Sequence, residues 1–196
     1  MEKNRFDEYL KSIASIELEM RDYVKKVHDD VNQKYDNKPY FYHLDNVARL
    51  VVKYGYPIIK NENDILPVLF GAYFHDSIED ARLTYNDVKK IAKKWMTDDL
   101  ALMAAEIVYA LTNEKGRNRH ERANEKYYAG IRLIPYAPLV KACDRLSNYN
   151  YAKETKSRMV DCYKKEMEYF IKCISPNIDS DISFTLPNDL LEELMK

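Results

Sequence analysis

Apolar residues in this chain recur at intervals of three and four almost from end to end, and no stretch alternates apolar and polar residues between turn signals. That period predicts an all-α protein of about seven or more helices. Leu10, Ile13, Met20, Val24, Val27 and Val31 predict a first helix that runs into the polar "NQKYDNKP" and is stopped by Pro39. A second helix is predicted from about Phe41 to Tyr54, closed by Gly55 as a left-handed terminator. Its inward stripe of His43, Val47, Leu50, Val51 and Tyr54 opens on a histidine. The third, starting near Asp64 with Pro67 in its first turn, carries Val68, Leu69, Phe70, Ala72, Tyr73 and Phe74 and is apolar on every side. Such a helix is buried, and it delivers His75 and Asp76 at its carboxyl end. Further helices are predicted over "YNDVKKIAKKW", "DDLALMAAEIVYAL" and "RHERANEKYYAGI". Then follow one from about Ala137 to Tyr151, one from about Glu154 to Ile174, and a short one after Pro187, tied on by "SPNIDSDISFTLP".

Composition narrows the class. With 196 residues, 46% hydrophobic and 32% charged, the chain suits one globular domain spanning 1–196. A net charge of -1 and a pI near 6.4 argue against nucleic acid or a membrane surface as partner, so any phosphate recognition must be local. The three cysteines, Cys143, Cys162 and Cys173, show no CxxC spacing and are expected to be reduced core residues. The charged start "MEKNRFDEYLKSIASIELEM" predicts no signal peptide, and a cytoplasmic location is expected.

Candidate chemistry concentrates at the ends of the apolar stripes. In the helix after Ala137, Leu139, Ala142, Cys143 and Leu146 form an apolar face, while Lys141, Asp144, Arg145 and Asn148 follow i, i+3, i+4, i+7 beside it. Those four read either as a solvated face or as a functional one. A carboxylate at the edge of a buried segment is expensive unless paired or metal-bound, which holds for both Asp76 and Asp144. His43, His75, Asp76 and Asp144 thus make a mixed nitrogen and oxygen donor set suited to one divalent ion such as Mn²⁺, Fe²⁺, Co²⁺ or Zn²⁺. His28 and His120 are expected to be core histidines satisfied by hydrogen bonds.

In order along the chain, "YFYHLDNVARLV", "FHDSIED" and "VKACDRLSN" resemble the H, HD and D motifs of the HD-domain metal-dependent phosphohydrolases. The acidic pair within "HDSIED" is similar to that of the (p)ppGpp hydrolase domain of the RelA/SpoT family and its small stand-alone relatives. The resemblance covers about 27–151, with the helices of 154–196 packing on that core. It implies an HD-type helical bundle in which His43, His75, Asp76 and Asp144 hold Mn²⁺, Glu79 and Asp80 orient or deprotonate the attacking water, and Asn148 contacts substrate. The substrate it implies is a small nucleotide of the guanosine 3'-diphosphate kind. Other readings are a phosphatase or nucleotidase for another small phosphorylated metabolite, and a catalytically idle HD module that binds a nucleotide.

From the residues themselves, Glu79 and Asp80 lie three and four positions after Asp76, so a turn brings at least one near the metal-side water, unless both are solvated loop acids. Lys115, Arg117, Arg119, Arg122 and Lys126 crowd the segment "NEKGRNRHERANEK", where Gly116 permits close approach of the backbone to a ligand. With Lys34, Lys141 and Arg145 they form a candidate phosphate clamp, or else a solvated helix start. Alarmone hydrolases carry a basic "RKSG"-like loop before the first histidine, and this chain has "KYDNK" there. Tyr40, Tyr42, Tyr149 and Tyr151 lie close enough to the motifs to stack on a base, and read equally well as core.

Overall fold

The computed structural model describes residues 1–113, 116–175 and 186–196, without the side chains of Arg119 and His120. It is all-α: among the described residues the only sheet is a hairpin of two-residue strands. The predicted first helix is in fact two. α1 (Lys3–Ser12) and α2 (Ala14–Asp30) meet at Ile13, whose backbone at φ -99°, ψ 8° leaves the helical ladder. α2 ends well before Pro39, and Asn32 turns the chain with a φ of 55°. β1 (Lys34–Tyr35) and β2 (Lys38–Pro39) then pair antiparallel around Asp36, which also has a φ of 55°. Asparagine and aspartate tolerate that left-handed backbone where most residues do not. Strands so short have no alternation to read in the sequence.

α3 (Phe41–Gly55) has the predicted span, but Gly55 is not left-handed. A Cβ there would stand 3.1 Å from Ile59 Cδ1 and 3.5 Å from Leu139 Cδ2, so crowding by side chains, not backbone freedom, favours glycine. A 3₁₀ turn (Glu62–Asp64) leads into α4 (Ile65–Phe74), every residue of which is buried, as its unbroken apolar sequence requires. α4 packs between α3 and α7 (Asp98–Leu111). Gly71 makes that approach possible, since a Cβ at this position would lie 2.5 Å from Ile107 Cγ2. Between them come the single turn α5 (Ser77–Asp80) and α6 (Tyr85–Ala92), which opens on a Thr84–Asp87 capping box.

The predicted helix over "RHERANEKYYAGI" breaks into α8 (Arg119–Arg122) and α9 (Glu125–Leu133). Asn124 is extended and caps α9, its Oδ1 accepting from Tyr127 N at 3.0 Å. α10 (Ala137–Glu154) starts with Pro138 in its first turn, and α11 (Met159–Ile174) follows a bend where Lys156 has a φ of 51°. α12 (Asn188–Met195) packs on both. Most of "SPNIDSDISFTLP" lies outside the described residues. α10 contacts α3, α4, α7, α9, α11 and α12, so it is a central helix, not a surface one. Its polar stripe is therefore internal, with Asp144 8% and Arg145 7% exposed. All three cysteines are free, Cys143 and Cys173 buried and Cys162 half-buried. Among the described residues no helix is long and apolar enough to cross a membrane.

Candidate metal centre

Three helices converge on one point. α3 brings His43 in its first turn, α4 ends at His75 with Asp76 immediately after it, and α10 contributes Asp144 from its middle. The carboxyl end of α4 favours positive charge, because its last carbonyls have no helical partner. His43 Nε2 lies 3.3 Å from His75 Nε2 and 3.3 Å from Asp144 Oδ1. Asp76 Oδ2 stands 3.0 Å from His75 Nε2 and 3.6 Å from His43 Nε2, and His75 Nε2 is 3.8 Å from Asp144 Oδ1.

Donors sharing an ion at about 2.1 Å stand about 3.0 Å apart at right angles and about 3.4 Å apart in a tetrahedron. The observed spacings therefore fit a common divalent ion. Buried His43, His75 and Asp144 form a group that can hold one, and Asp76 stands beside its two histidines. The ring orientations agree with this. His75 Nδ1 donates to Ala72 O at 2.9 Å, which leaves Nε2 as the lone pair facing the cluster. His43 Nδ1 is 3.3 Å from Ser147 Oγ, so its Nε2 also faces inward. Lys141 donates to Asp144 Oδ2 at 2.9 Å, and Asn148 Nδ2 donates to Asp144 Oδ1 at 2.6 Å.

Charge is balanced within this cluster. Burial acts against the imidazolium of His75, yet Asp76 and Asp144 outweigh it and raise its pKa to about 9. Burial likewise disfavours ionised Asp76 and Asp144, but His75 for the first and Lys141 for the second hold them well below the usual carboxylate range. Lys141 is raised well above its ordinary value because Asp144 and Tyr127 overcome its burial. A divalent cation at this point would replace the proton on His75 as the partner of two anionic carboxylates.

Glu79 and Asp80 sit on α5, the turn expected after the ligands, and both line a cavity of about 260 Å³ together with Asp76 and Asp144. They differ in what they touch. Asp80 Oδ2 lies 2.6 Å from the Tyr40 hydroxyl, which is also 2.6 Å from Asp76 Oδ2. Burial raises the Asp80 pKa above the usual carboxylate value. Glu79 instead accepts from Asn113, from the backbone N on Oε1 and from Nδ2 at 3.0 Å on Oε2.

Of the expected phosphate clamp, Arg122, Lys141 and Arg145 line the cavity, as does Asn148, the expected substrate contact. Arg145 donates to Glu166 Oε2 at 2.9 Å and lies over the Phe170 ring at 4.4 Å. Lys34 is placed otherwise: β1 is exposed at Lys34 and turns Tyr35 inward, as the strand's alternation requires. Arg117 is exposed and is not among the residues lining the cavity. Lys115 and the side chain of Arg119 lie outside the described residues, as does that of His120. Gly116 is close to its own chain, where a Cβ would meet Glu121 Cβ at 2.8 Å, so packing against α8 accounts for it without a ligand. His28 is buried as expected, but neither ring nitrogen has a hydrogen-bond partner among the described residues. It stacks on Tyr40 instead, ring centroids 4.7 Å apart, and burial lowers its pKa to about 4.

Tyr35, from the non-basic "KYDNK" loop, also belongs to the site. Its ring stacks on His43 at 4.8 Å and its hydroxyl donates to Asn148 Oδ1 at 2.8 Å. With Asn148 and Tyr163 it lines both this cavity and a neighbouring hollow of about 430 Å³ that Tyr151 and Met159 also line. Tyr35, Ser147 and Asn113 carried no signal of their own; Tyr40 stood out only as a ring that could stack on a base, and its role toward Asp76 and Asp80 was not legible.

The fold and the cluster define an all-α protein with a buried His43, His75 and Asp144 centre able to hold a metal ion. Compared with protein-family models, curated proteins and solved structures, the chain matches none.

Proposed function

We propose that this protein is a metal-dependent phosphohydrolase of the HD type acting on a nucleotide, with 3'-pyrophosphate hydrolysis of a (p)ppGpp-like alarmone as its leading reaction. One observation carries the reading: His43, His75, Asp76 and Asp144 come together from three helices, and all but the fully buried His75 line a cavity that also holds two further acids and three cations. Those four side chains would hold the ion, Mn²⁺ for preference, and it would supply Lewis acidity toward a phosphoryl oxygen and toward water near neutral pH. The chain's own groups do the rest. A carboxylate of the acidic pair takes the proton of the attacking water, whose oxygen bonds to phosphorus as the bond to the ribose 3'-oxygen breaks. The leaving oxygen then receives that proton. Arg122, Lys141 and Arg145 face the phosphoryl oxygens, and the hollow beyond Tyr35, lined by no cation, suits a planar base.

A second reading, hydrolysis of a smaller phosphorylated metabolite, is favoured by one feature. Two of the three cavity cations are already paired, Lys141 with Asp144 and Arg145 with Glu166, which leaves little charge for a substrate with two pyrophosphates. Metal analysis followed by Mn²⁺-dependent release of phosphate or pyrophosphate from a nucleotide panel that includes ppGpp separates the two. A Glu79→Gln/Asp80→Asn double variant should retain metal and lose turnover, and full activity in it refutes the mechanism. Tight nucleotide binding with no product at any metal would mean an idle binding module.

A further inference from the structure

The acidic pair on α5 is divided by its surroundings. Both oxygens of Glu79 are engaged with Asn113, at the end of the segment that leads to α8. Asp80 instead meets the hydroxyl of Tyr40, which touches Asp76 with the same atom, and among the described residues it has no hydrogen bond to that segment. Tyr40 is itself held. It is buried between the His28 ring, stacked at 4.7 Å and 6°, and Tyr35, edge-on at 6.1 Å and 84°. Its carbonyl accepts from His43 N at 3.0 Å, which ties it to the first turn of α3. One rigid ring therefore connects α3, the ligand Asp76 and Asp80, whereas Glu79 connects to a loop.

We propose that Tyr40 is a positioning residue whose hydroxyl fastens Asp80 to the ligand Asp76, so that Asp80 is the carboxylate set against the reacting water, while Glu79 holds Asn113, which lines the same cavity. The inference rests on the hydrolase reading only for the word "reacting". The bridge itself is a property of the chain. The Tyr40 hydroxyl carries one proton, so it donates to one of the two acids and accepts from the other when that one is protonated; either way both oxygens stand 2.6 Å from one atom, and such partners of metal ligands govern ion affinity as well as orientation. Glu79, reaching an exposed loop, acts on substrate access.

The test uses the full chain in two arms. In the first, Mn²⁺ binding is measured by calorimetry and stability by urea denaturation. Tyr40→Phe keeps the ring and its stack on His28 and should weaken Mn²⁺ binding about tenfold or more. Asp80→Asn and Glu79→Gln should each change it by less than about threefold. The stability effects of Tyr40→Phe and Asp80→Asn should be non-additive, and those of Tyr40→Phe and Glu79→Gln additive. In the second arm, turnover of ppGpp or of whichever panel nucleotide is cleaved should lose kcat in Tyr40→Phe and more so in Asp80→Asn. The Tyr40→Phe/Asp80→Asn double variant should fall no further than Asp80→Asn. Glu79→Gln and Asn113→Ala should both act chiefly through KM. Additive stability effects for Tyr40 and Asp80, or a kcat collapse in Glu79→Gln with Asp80→Asn still active, overturns the proposal. If the wild type cleaves no nucleotide, the hydrolase reading falls and the first arm still decides the role of Tyr40.

Discussion

Replacing Asp144 by asparagine keeps the shape of the side chain and removes its charge, which should expose two separate debts in the structure. Lys141 Nζ lies 2.9 Å from Asp144 Oδ2 and its side chain is only 14% exposed. Breaking a buried pair from one side costs about 3–5 kcal/mol, and the partial exposure of Lys141 places this case near the lower value. In a chain of 196 residues, where about 1 kcal/mol moves Tm by about 2–4 °C, Asp144→Asn should lower Tm by about 6–12 °C. Adding Lys141→Met removes the orphaned cation and should recover most of that loss. Metal dependence should not recover. Mn²⁺ at a hundredfold excess over Kd adds about 2.7 kcal/mol to the wild type, or about 5–10 °C, and should add nothing to either variant. Thermal melts with EDTA and with Mn²⁺, on all three proteins, read both effects. The reasoning is refuted if the Lys141→Met/Asp144→Asn protein is as unstable as the single variant, or if Asp144→Asn keeps the Mn²⁺ shift.

The pKa of His75, raised to about 9 from an unfolded value of 6.5, makes apo-protein stability greatest below pH 6.5 and lost progressively as pH rises through 9. Because Mn²⁺ competes with that proton, its affinity should rise up to about tenfold per pH unit between neutrality and pH 9, and calorimetry showing no rise would contradict the ligand assignment. Gly71→Ala puts a Cβ 2.5 Å from Ile107 Cγ2 and should destabilise by about 1–3 kcal/mol in urea denaturation while loosening the end of α4 that carries His75 and Asp76. Arg122 lines the cavity without an ion pair among the described residues, so Arg122→Gln should raise KM for a phosphorylated substrate about tenfold or more with little change in kcat. Lys34→Gln should shift KM less than about twofold, because Lys34 faces solvent on β1.

Periodicity alone was enough for α3, α4 and α7, where the apolar stripe is long and the ends are marked by glycine, proline or polar runs. It overran at Ile13, at Ala123 and Asn124, and around Lys156, where one to four residues leave the helix while the apolar spacing continues on either side. The four candidate ligands were legible because each stands at the end or edge of an apolar face, where an ionisable group needs a partner. Their partners were less so. Hydrogen bonds between Tyr40 and Asp80, Tyr35 and Asn148, or Glu79 and Asn113 span 40, 113 and 34 positions of sequence, and no local pattern records them.

What the sequence determined by itself is the long helices α3, α4 and α7 and the candidate donor set of His43, His75, Asp76 and Asp144, since both follow from which side chains can be taken out of water at a given spacing. Tertiary structure decided the remainder. It turned the polar stripe of α10 inward, because that helix is surrounded by α3, α4, α7, α9, α11 and α12 and has no solvated side left for Asp144 and Arg145. It also gave Glu79 and Asp80, adjacent in the chain and alike in charge, different neighbours, Asn113 for the one and Tyr40 for the other. Adjacent residues on one helical turn point about 100° apart, and only the packing of other elements around α5 settles what each of them meets.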